Sequence, residues 1–227
     1  MTFAFDNTYG RLPSHFYAQV APTKVKEPRV VMINGAPTDS NSKPYKDGAT
    51  QVLKKRGANI VKSYDTPDWS PDKAQQEMEA SITALGKDGF DAVYSANDGM
   101  AGGAIASLKG ASIDPKSRFV TGQDAELAGI QRILTGDQLM TVYQPIIDIA
   151  ETSAELAVPL AQGKQPPGDL ASDEVDNGQK KVPSALLDTI AVQPDNIEST
   201  VVKEGFLKTS DICAGQYAAA CKKVGLE

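Results

Sequence analysis

The sequence predicts an α/β fold, a three-layer doubly wound parallel sheet with helices on both faces. Three observations carry this reading. First, residues 91–145 contain three short apolar segments, Ala92–Ser95, Arg118–Gly122 and Leu139–Tyr143, separated by two helical segments. That spacing implies parallel strands joined by helical crossovers. Second, each segment ends on hydrogen-bonding residues: Asn97 and Asp98, then Gln123 and Asp124, then Tyr143 and Gln144. Ligands of parallel sheets bind outside the carboxyl ends of the strands, so these tips should converge on one crevice for a small molecule rich in hydroxyls or amides. Third, the same strand–helix alternation runs upstream from Thr2, with no other internal repeat.

In chain order, Thr2–Asp6 reads as a strand, and Pro13 limits where a following helix can begin. Arg29–Ile33 is a β-branched strand with an abrupt polar end at Asn34-Gly35, followed by a loop (Ala36–Ser42) and a helix closed by Gly57. Asn59–Tyr64 is the next strand. The loop after it holds Trp69, and Ser70-Pro71 opens a helix with a Ser N-cap and Pro at the first turn. Along that helix Ala74, Met78, Ile82 and Leu85 form one apolar stripe. A second stripe, Ile146, Ile149, Ala150, Ala157, Leu160 and Ala161, marks a helix over Ile146–Gln162. Gly163–Lys181 reads as a loop, Leu187–Val192 as a strand, Asn196–Glu204 as a short helix and Ala214–Val224 as a final helix.

Composition narrows the function. A chain of 227 residues with 41% hydrophobic content can bury a core as one large domain or two small ones. A net charge of −6 argues against nucleic acid, which asks for a basic patch. The apolar stretches are short and interrupted by charge, so no membrane span is expected. The one histidine, His15, makes a metal site improbable. Neither GxxxxGK[ST] nor GxGxxG occurs, and GMAGG reads as a glycine cluster at a helix start. No cofactor is implied.

The segments YSANDGMAGGAIASL, VTGQDAELAGIQRI and MTVYQPI, with FAFDN, NGAPTDSNSK and DWSPDKA in the same order, resemble the periplasmic xylose-type sugar-binding proteins of bacterial ABC importers, which have the ribose-binding type of fold. The resemblance extends from Phe3 to about Leu207. It implies non-enzymatic binding of a monosaccharide, a xylose-like pentose or related aldose. The implied partner is an ABC transporter permease, and the implied location is the periplasm or cell surface. MTFAFDNTYG itself shows no basic n-region and no long apolar core, so no signal peptide is visible. The resemblance also implies that the chain lacks the first of two lobes. Residues 1–145 would be the sugar-binding lobe, 146–188 a crossover that packs on the missing lobe, and 189–227 the return with a C-terminal helix. The stripe on 146–162 would then be orphaned and open to self-association.

A sugar is held by planar polar side chains that donate and accept, with an aromatic face against its C–H side. Asp6, Asn41, Asn97, Asp124 and Gln144 supply the polar set, and Trp69 the platform. The resemblance places Asp6, Asn97, Asp124 and Trp69 in matching motifs, and Asn41 in a loop that differs. Gln144 is a departure, because the xylose-type motif reads VYKP with lysine there. Each residue also has a plainer reading. Asn97-Asp98-Gly99 would serve as a turn and helix cap, Asp124 as the cap of a helix over Ala125–Leu134, and Trp69 as a core anchor. Two other function classes compete. One is a glycosidase using Asp6 and Asp124 as paired carboxylates, and the other is the sugar-sensing effector domain of a regulator.

Cys213 and Cys221 are the only cysteines. On one continuous helix they would lie about 12 Å apart, too far for a disulfide, which needs Cα atoms within about 7 Å. Gly215 could break the helix and let the segment fold back into a bond, which export would favour. The alternative is two reduced cysteines packed as small apolar residues.

Overall fold

The computed structural model describes residues 26–176 and 179–226. The strand read at Thr2–Asp6, and Asp6 and His15 with it, lie outside those residues. The described chain falls into two compact units, one of residues 26–143 with 190–226, the other of residues 144–189.

The larger unit is built on a parallel sheet. Strand β1 (Arg29–Asn34) runs between β2 (Asn59–Asp65) and β3 (Ala92–Ser95), parallel to both. Parallel pairing continues from Val93 to Val120 and from Thr121 to Met140, next to β4 (Thr141–Tyr143). Strand β7 (Ile190–Val192) closes that edge antiparallel to β4. The order is therefore 2-1-3, then the segment at 120–121, then β4 and β7, which is the doubly wound arrangement. Val30, Val31, Met32 and Ile33 are wholly buried, as expected of a strand covered on both faces. Each such side chain stabilises the fold by about 1.5–3 kcal/mol relative to exposure.

Helix α1 (Ser42–Lys55) buries Tyr45, Ala49 and Leu53 and ends as Gly57 turns left-handed. Helix α2 (Pro71–Leu85) begins as expected, with Ser70 accepting from the Lys73 N–H and Pro71 opening the first turn. It buries Ala74 and Met78 against the core. Helix α3 (Asp98–Gly110) lies close on α2, where Gly103 is obligatory because a Cβ there would come within 2.1 Å of the Pro71 carbonyl oxygen. Ser107 adds a hydrogen bond across this contact to the Gln75 carbonyl. Helix α4 (Leu127–Thr135) packs with β7 and the C-terminal segment in a second apolar cluster around Ile130, Ile133, Val201 and Ile212.

The structure differs from the sequence reading at several elements. Arg118–Gly122 is not a continuous strand: Phe119 takes a left-handed φ of 41°, and pairing survives only at Val120 and Thr121. The helix read at Ala125–Leu134 starts two residues later, because Ala125 is itself left-handed. Asn196–Glu204 shortens to a π-helical turn, Glu198–Val202. The final helix, read at Ala214–Val224, is a 3₁₀ turn at Gly215–Tyr217 followed by α7 (Ala218–Val224), and a short helix outside that reading, α6 (Thr209–Ile212), precedes it. The break falls at Gly215, whose φ is +58°, and it brings Cys213 and Cys221 to a Cα separation of 5.8 Å, where they are disulfide-bonded.

In the smaller unit, α5 (Ile146–Ala161) carries Pro159 within its last turn. Gly163–Lys181, read as a loop, contains a strand: β5 (Asp173–Asp176) pairs antiparallel with β6 (Lys181–Ser184). Only Leu156 of α5 is buried, while Ile146, Ile147, Val158 and Leu160 are 45–53% exposed.

Candidate functional site

Sheet order sets the place of the site. Crossovers leave β1 and β3 in opposite directions, so the loops beyond their carboxyl ends part and open a crevice. At the tip of β1, Asn34 is wholly buried and donates to the Tyr64 carbonyl at 2.6 Å and to Ser63 Oγ at 3.1 Å, fastening β1 to β2.

Two short loops beyond β1 and β2 seat Trp69. Its indole ring packs over Gly35, where any Cβ would fall 2.1–2.5 Å from ring atoms. The indole N–H donates to Asp39 Oδ2 at 3.1 Å, and Tyr45 meets the ring edge-on at 6.5 Å between centroids. Asp68 and Trp69 both take left-handed φ, 58° and 53°, a conformation costing roughly 1–2 kcal/mol per non-glycine residue. Trp69 is half-buried and touches the core. It is thus a core anchor on one side and a partly open ring on the other. Asn41 is exposed at the start of α1. Its backbone N–H donates to Asp39 Oδ1, and its side chain does not cap the helix.

Beyond β3, Asn97 caps α3: its side-chain oxygen accepts from the Met100 N–H at 2.8 Å. The plainer reading of Asn97 therefore holds, but it uses only the oxygen. Among the described residues the Asn97 amide nitrogen has no hydrogen-bond partner. The next residue, Asp98, read from sequence as one of the ligand-facing strand tips, is instead wholly buried. Its Oδ1 accepts from Gln138 Nε2 at 2.6 Å, and its Oδ2 from the Glu126 N–H at 2.9 Å and the Thr141 hydroxyl at 2.8 Å. Arg132 donates to the Asp98 carbonyl at 2.6 Å and to Gln138 Oε1 at 3.0 Å. Burial pushes the Asp98 carboxyl up to about 7, against the pull of these donors and of the Arg132 charge. Asp98 ties the β3 tip to the 122–126 turn and to β4.

That turn carries Asp124. Asp124 and Ala125 are again a left-handed pair, φ 92° and 51°. Three successive backbone N–H groups hold the turn: Asp124 donates to the Val142 carbonyl, Ala125 to Thr141 Oγ1 and Glu126 to Asp98. Asp124 caps no helix, which removes the plainer reading of that residue. The residue is exposed, yet atoms crowd its carboxyl, and this burial raises its pKa while the Gln123 amide, 3.4 Å away, lowers it. The nearby Asp124 charge adds to burial in raising Glu126.

The structure links Trp69 to Asp124 within one unit. Trp69 contacts Tyr45, whose hydroxyl accepts from Gln123 Nε2 at 2.8 Å, and Gln123 reaches Asp124. Asn97 joins through the Asp98 N–H, which donates to the Gln123 carbonyl at 2.8 Å. Asp39 and Tyr45 are supporting residues absent from the sequence reading, and Asp98, expected at the ligand, is a support as well; the glycines at 35, 122 and 129 are the sequence signal of these close approaches. Asp6 lies outside the described residues. Gln144 is half-buried and belongs to the smaller unit. Among the described residues no cluster of three or more His, Cys, Asp or Glu could hold a metal ion, and no helix is long and apolar enough to cross a membrane.

The periplasmic binding protein domain profile matches residues 7–165. The chain belongs to that family. It is 38% identical over 214 residues to the D-xylose-binding periplasmic protein of Escherichia coli (strain K12), covering 92% of this chain and 62% of that protein. It is 39% identical over 208 residues to the Haemophilus influenzae protein of the same description, covering 89% of this chain and 60% of that protein. The chain thus spans about three fifths of the length of these curated relatives. Among solved structures, a carbohydrate transporter solute binding protein from Chloroflexus aurantiacus in complex with D-glucose superposes with a TM-score of 0.77 at 25% identity, over 92% of this chain and 68% of that one. An ABC transporter solute binding protein from Clostridium phytofermentans with bound β-D-glucose has the same fold, at a TM-score of 0.77 and 24% identity, over 93% of this chain and 68% of that one.

Proposed function

We propose that this chain binds a monosaccharide, a xylose-like pentose or related aldose, as the sugar-receiving part of an ABC importer's substrate-binding protein. The observation that carries this reading is the pair of left-handed turns at the carboxyl edge of the sheet, one bearing the Trp69 ring and the other the Asp124 carboxylate. Strain of this kind persists where surrounding structure over-determines it, and it clusters at binding sites. The ring offers a face to sugar C–H groups. Asp124 offers two acceptor oxygens, and the Asn97 amide nitrogen a donor. Asn41 joins them within the same unit, and for Asp6 and Gln144 the sequence motifs alone carry the proposal. Gln144 stands where xylose-type motifs have lysine, so the preferred sugar need not be xylose itself.

The E. coli and H. influenzae relatives are named as periplasmic xylose-binding proteins, which supports a periplasmic, non-catalytic role beside a transporter permease. Residues 146–188 would serve as the crossover to a further lobe. The exposed Ile146, Val158 and Leu160 of α5 are the proposed surface for self-association. Calorimetry against a panel of monosaccharides tests the reading. Weak binding of one or a few aldoses, lost in Asp124→Ala, is expected. Selective tight binding of an amino acid, or hydrolysis of a glycoside, would overturn it.

A further inference from the structure

We propose that Asp39 is a positioning residue that locks the Trp69 indole in place before any ligand arrives, leaving Trp69 only a ring face with which to bind. The inference deepens the sugar-platform reading and rests on it for its significance, but the lock itself is a property of the unliganded protein.

Every polar group of Asp39 is engaged. Its N–H donates to the Ala36 carbonyl at 3.0 Å and its carbonyl accepts from the Ser42 N–H at 3.1 Å. One carboxylate oxygen accepts from the Asn41 N–H at 2.8 Å, and the other from the indole N–H of Trp69 at 3.1 Å. A residue held at four points is a rigid acceptor. A hydrogen bond to an ionised carboxylate is roughly twice as strong as a neutral one.

The rest of the seat is as tightly specified. The six-membered ring occupies the volume a Cβ on Gly35 would need, and Tyr45 stands perpendicular to it. Tyr45 is itself fixed by Gln123 at 2.8 Å. The backbone at Asp68 and Trp69 is left-handed, so without such restraints it would relax toward ordinary φ. With its only side-chain donor spent on Asp39, the indole of Trp69 contributes no hydrogen bond to a ligand. Specificity for hydroxyl groups must then come from Asn97, Asp124 and their neighbours, while Trp69 selects for an apolar C–H face.

Trp69 is the sole tryptophan, so the indole N–H resonance and the intrinsic fluorescence both report on it without assignment. In Asp39→Ala the resonance is expected to move upfield and acrylamide quenching to rise, both in the absence of ligand. The melting temperature should fall by about 2–8 °C, the effect of the two hydrogen bonds that the Asp39 carboxylate accepts. Gly35→Ala, which leaves Asp39 intact and displaces the ring, should give the same spectroscopic change. An unchanged resonance and unchanged quenching in Asp39→Ala would overturn the lock. Affinity for the best monosaccharide of the panel should fall about tenfold in Asp39→Ala, and an unaltered affinity would overturn the positioning role. If the wild-type chain binds no monosaccharide, the proposed function fails, and the ligand-free resonance still decides the lock.

Discussion

The buried Asp98 carboxylate should make one glycine intolerant of the mildest substitution. Gly129 lies in helix α4, and a Cβ placed on it would stand 2.3 Å from Asp98 Oδ2 and 2.5 Å from its Cγ. Helix propensity alone favours alanine over glycine by about 1 kcal/mol. Overpacking a filled site costs roughly 1–3 kcal/mol. Displacing Asp98 would also weaken its bonds to Gln138, Glu126 and Thr141, each worth about 1.5–3 kcal/mol when the acceptor is charged. The net expectation for Gly129→Ala is a loss of about 2–4 kcal/mol, or a melting temperature lower by about 5–15 °C. Gly110, the last residue of α3, is the control, because a Cβ there would meet nothing within 4 Å. Gly110→Ala should be neutral or stabilising by up to about 1 kcal/mol. Circular-dichroism melts at pH 8, above the Asp98 pKa of about 7, make the comparison. If both variants melt together, Asp98 is not pinned and the account of how the strand tips are joined is wrong.

Three other outcomes follow from the same contacts. Asn97→Ala removes the cap on the Met100 N–H and should cost about 0.5–2 kcal/mol as well as weakening sugar binding; a variant that binds normally would remove Asn97 from the site. The Arg29 guanidinium hydrogen-bonded to Asp91 holds that carboxyl below its ordinary value. Its contribution is therefore present above pH of about 4 and lost as pH falls through the lower folded value, so the stability gap between wild type and Asp91→Asn should close in acid, and a gap that widens would reverse the sign argued here. Replacing exposed Val158 and Leu160 by Ser should leave the melting temperature almost unchanged while suppressing any concentration-dependent association. A large loss of stability would instead place those side chains in a core.

Sequence reasoning reached the sheet because buried strands announce themselves: Arg29–Asn34 and Ala92–Ser95 are apolar runs with polar ends, and Ser70-Pro71 is a helix start with a physical cause. It missed the β5–β6 hairpin because Asp173–Asp176 is polar and largely exposed, which leaves no alternation to read. It overextended the strand at 118–122 because the left-handed turn at Phe119 has no glycine to signal it. In the candidate site the polar tips were legible, but their supports were not. That Asp98 would be wholly buried, and that Asp39 would reach the indole of Trp69, depends on contacts between loops 28–43 residues apart in sequence. No local pattern encodes these.

The proposed site puts a sugar at the carboxyl ends of β1 and β3, against Trp69, Asn97 and Asp124. Titrating ¹⁵N-labelled protein with D-xylose and other aldoses tests it most directly, because amide shifts locate even weak binding. Saturable shifts are expected, concentrated on the Trp69 indole and on the backbone amides of Asn97, Gln123 and Asp124. Shifts that avoid all four for every aldose, or that appear there only with a ligand of another class, would contradict it.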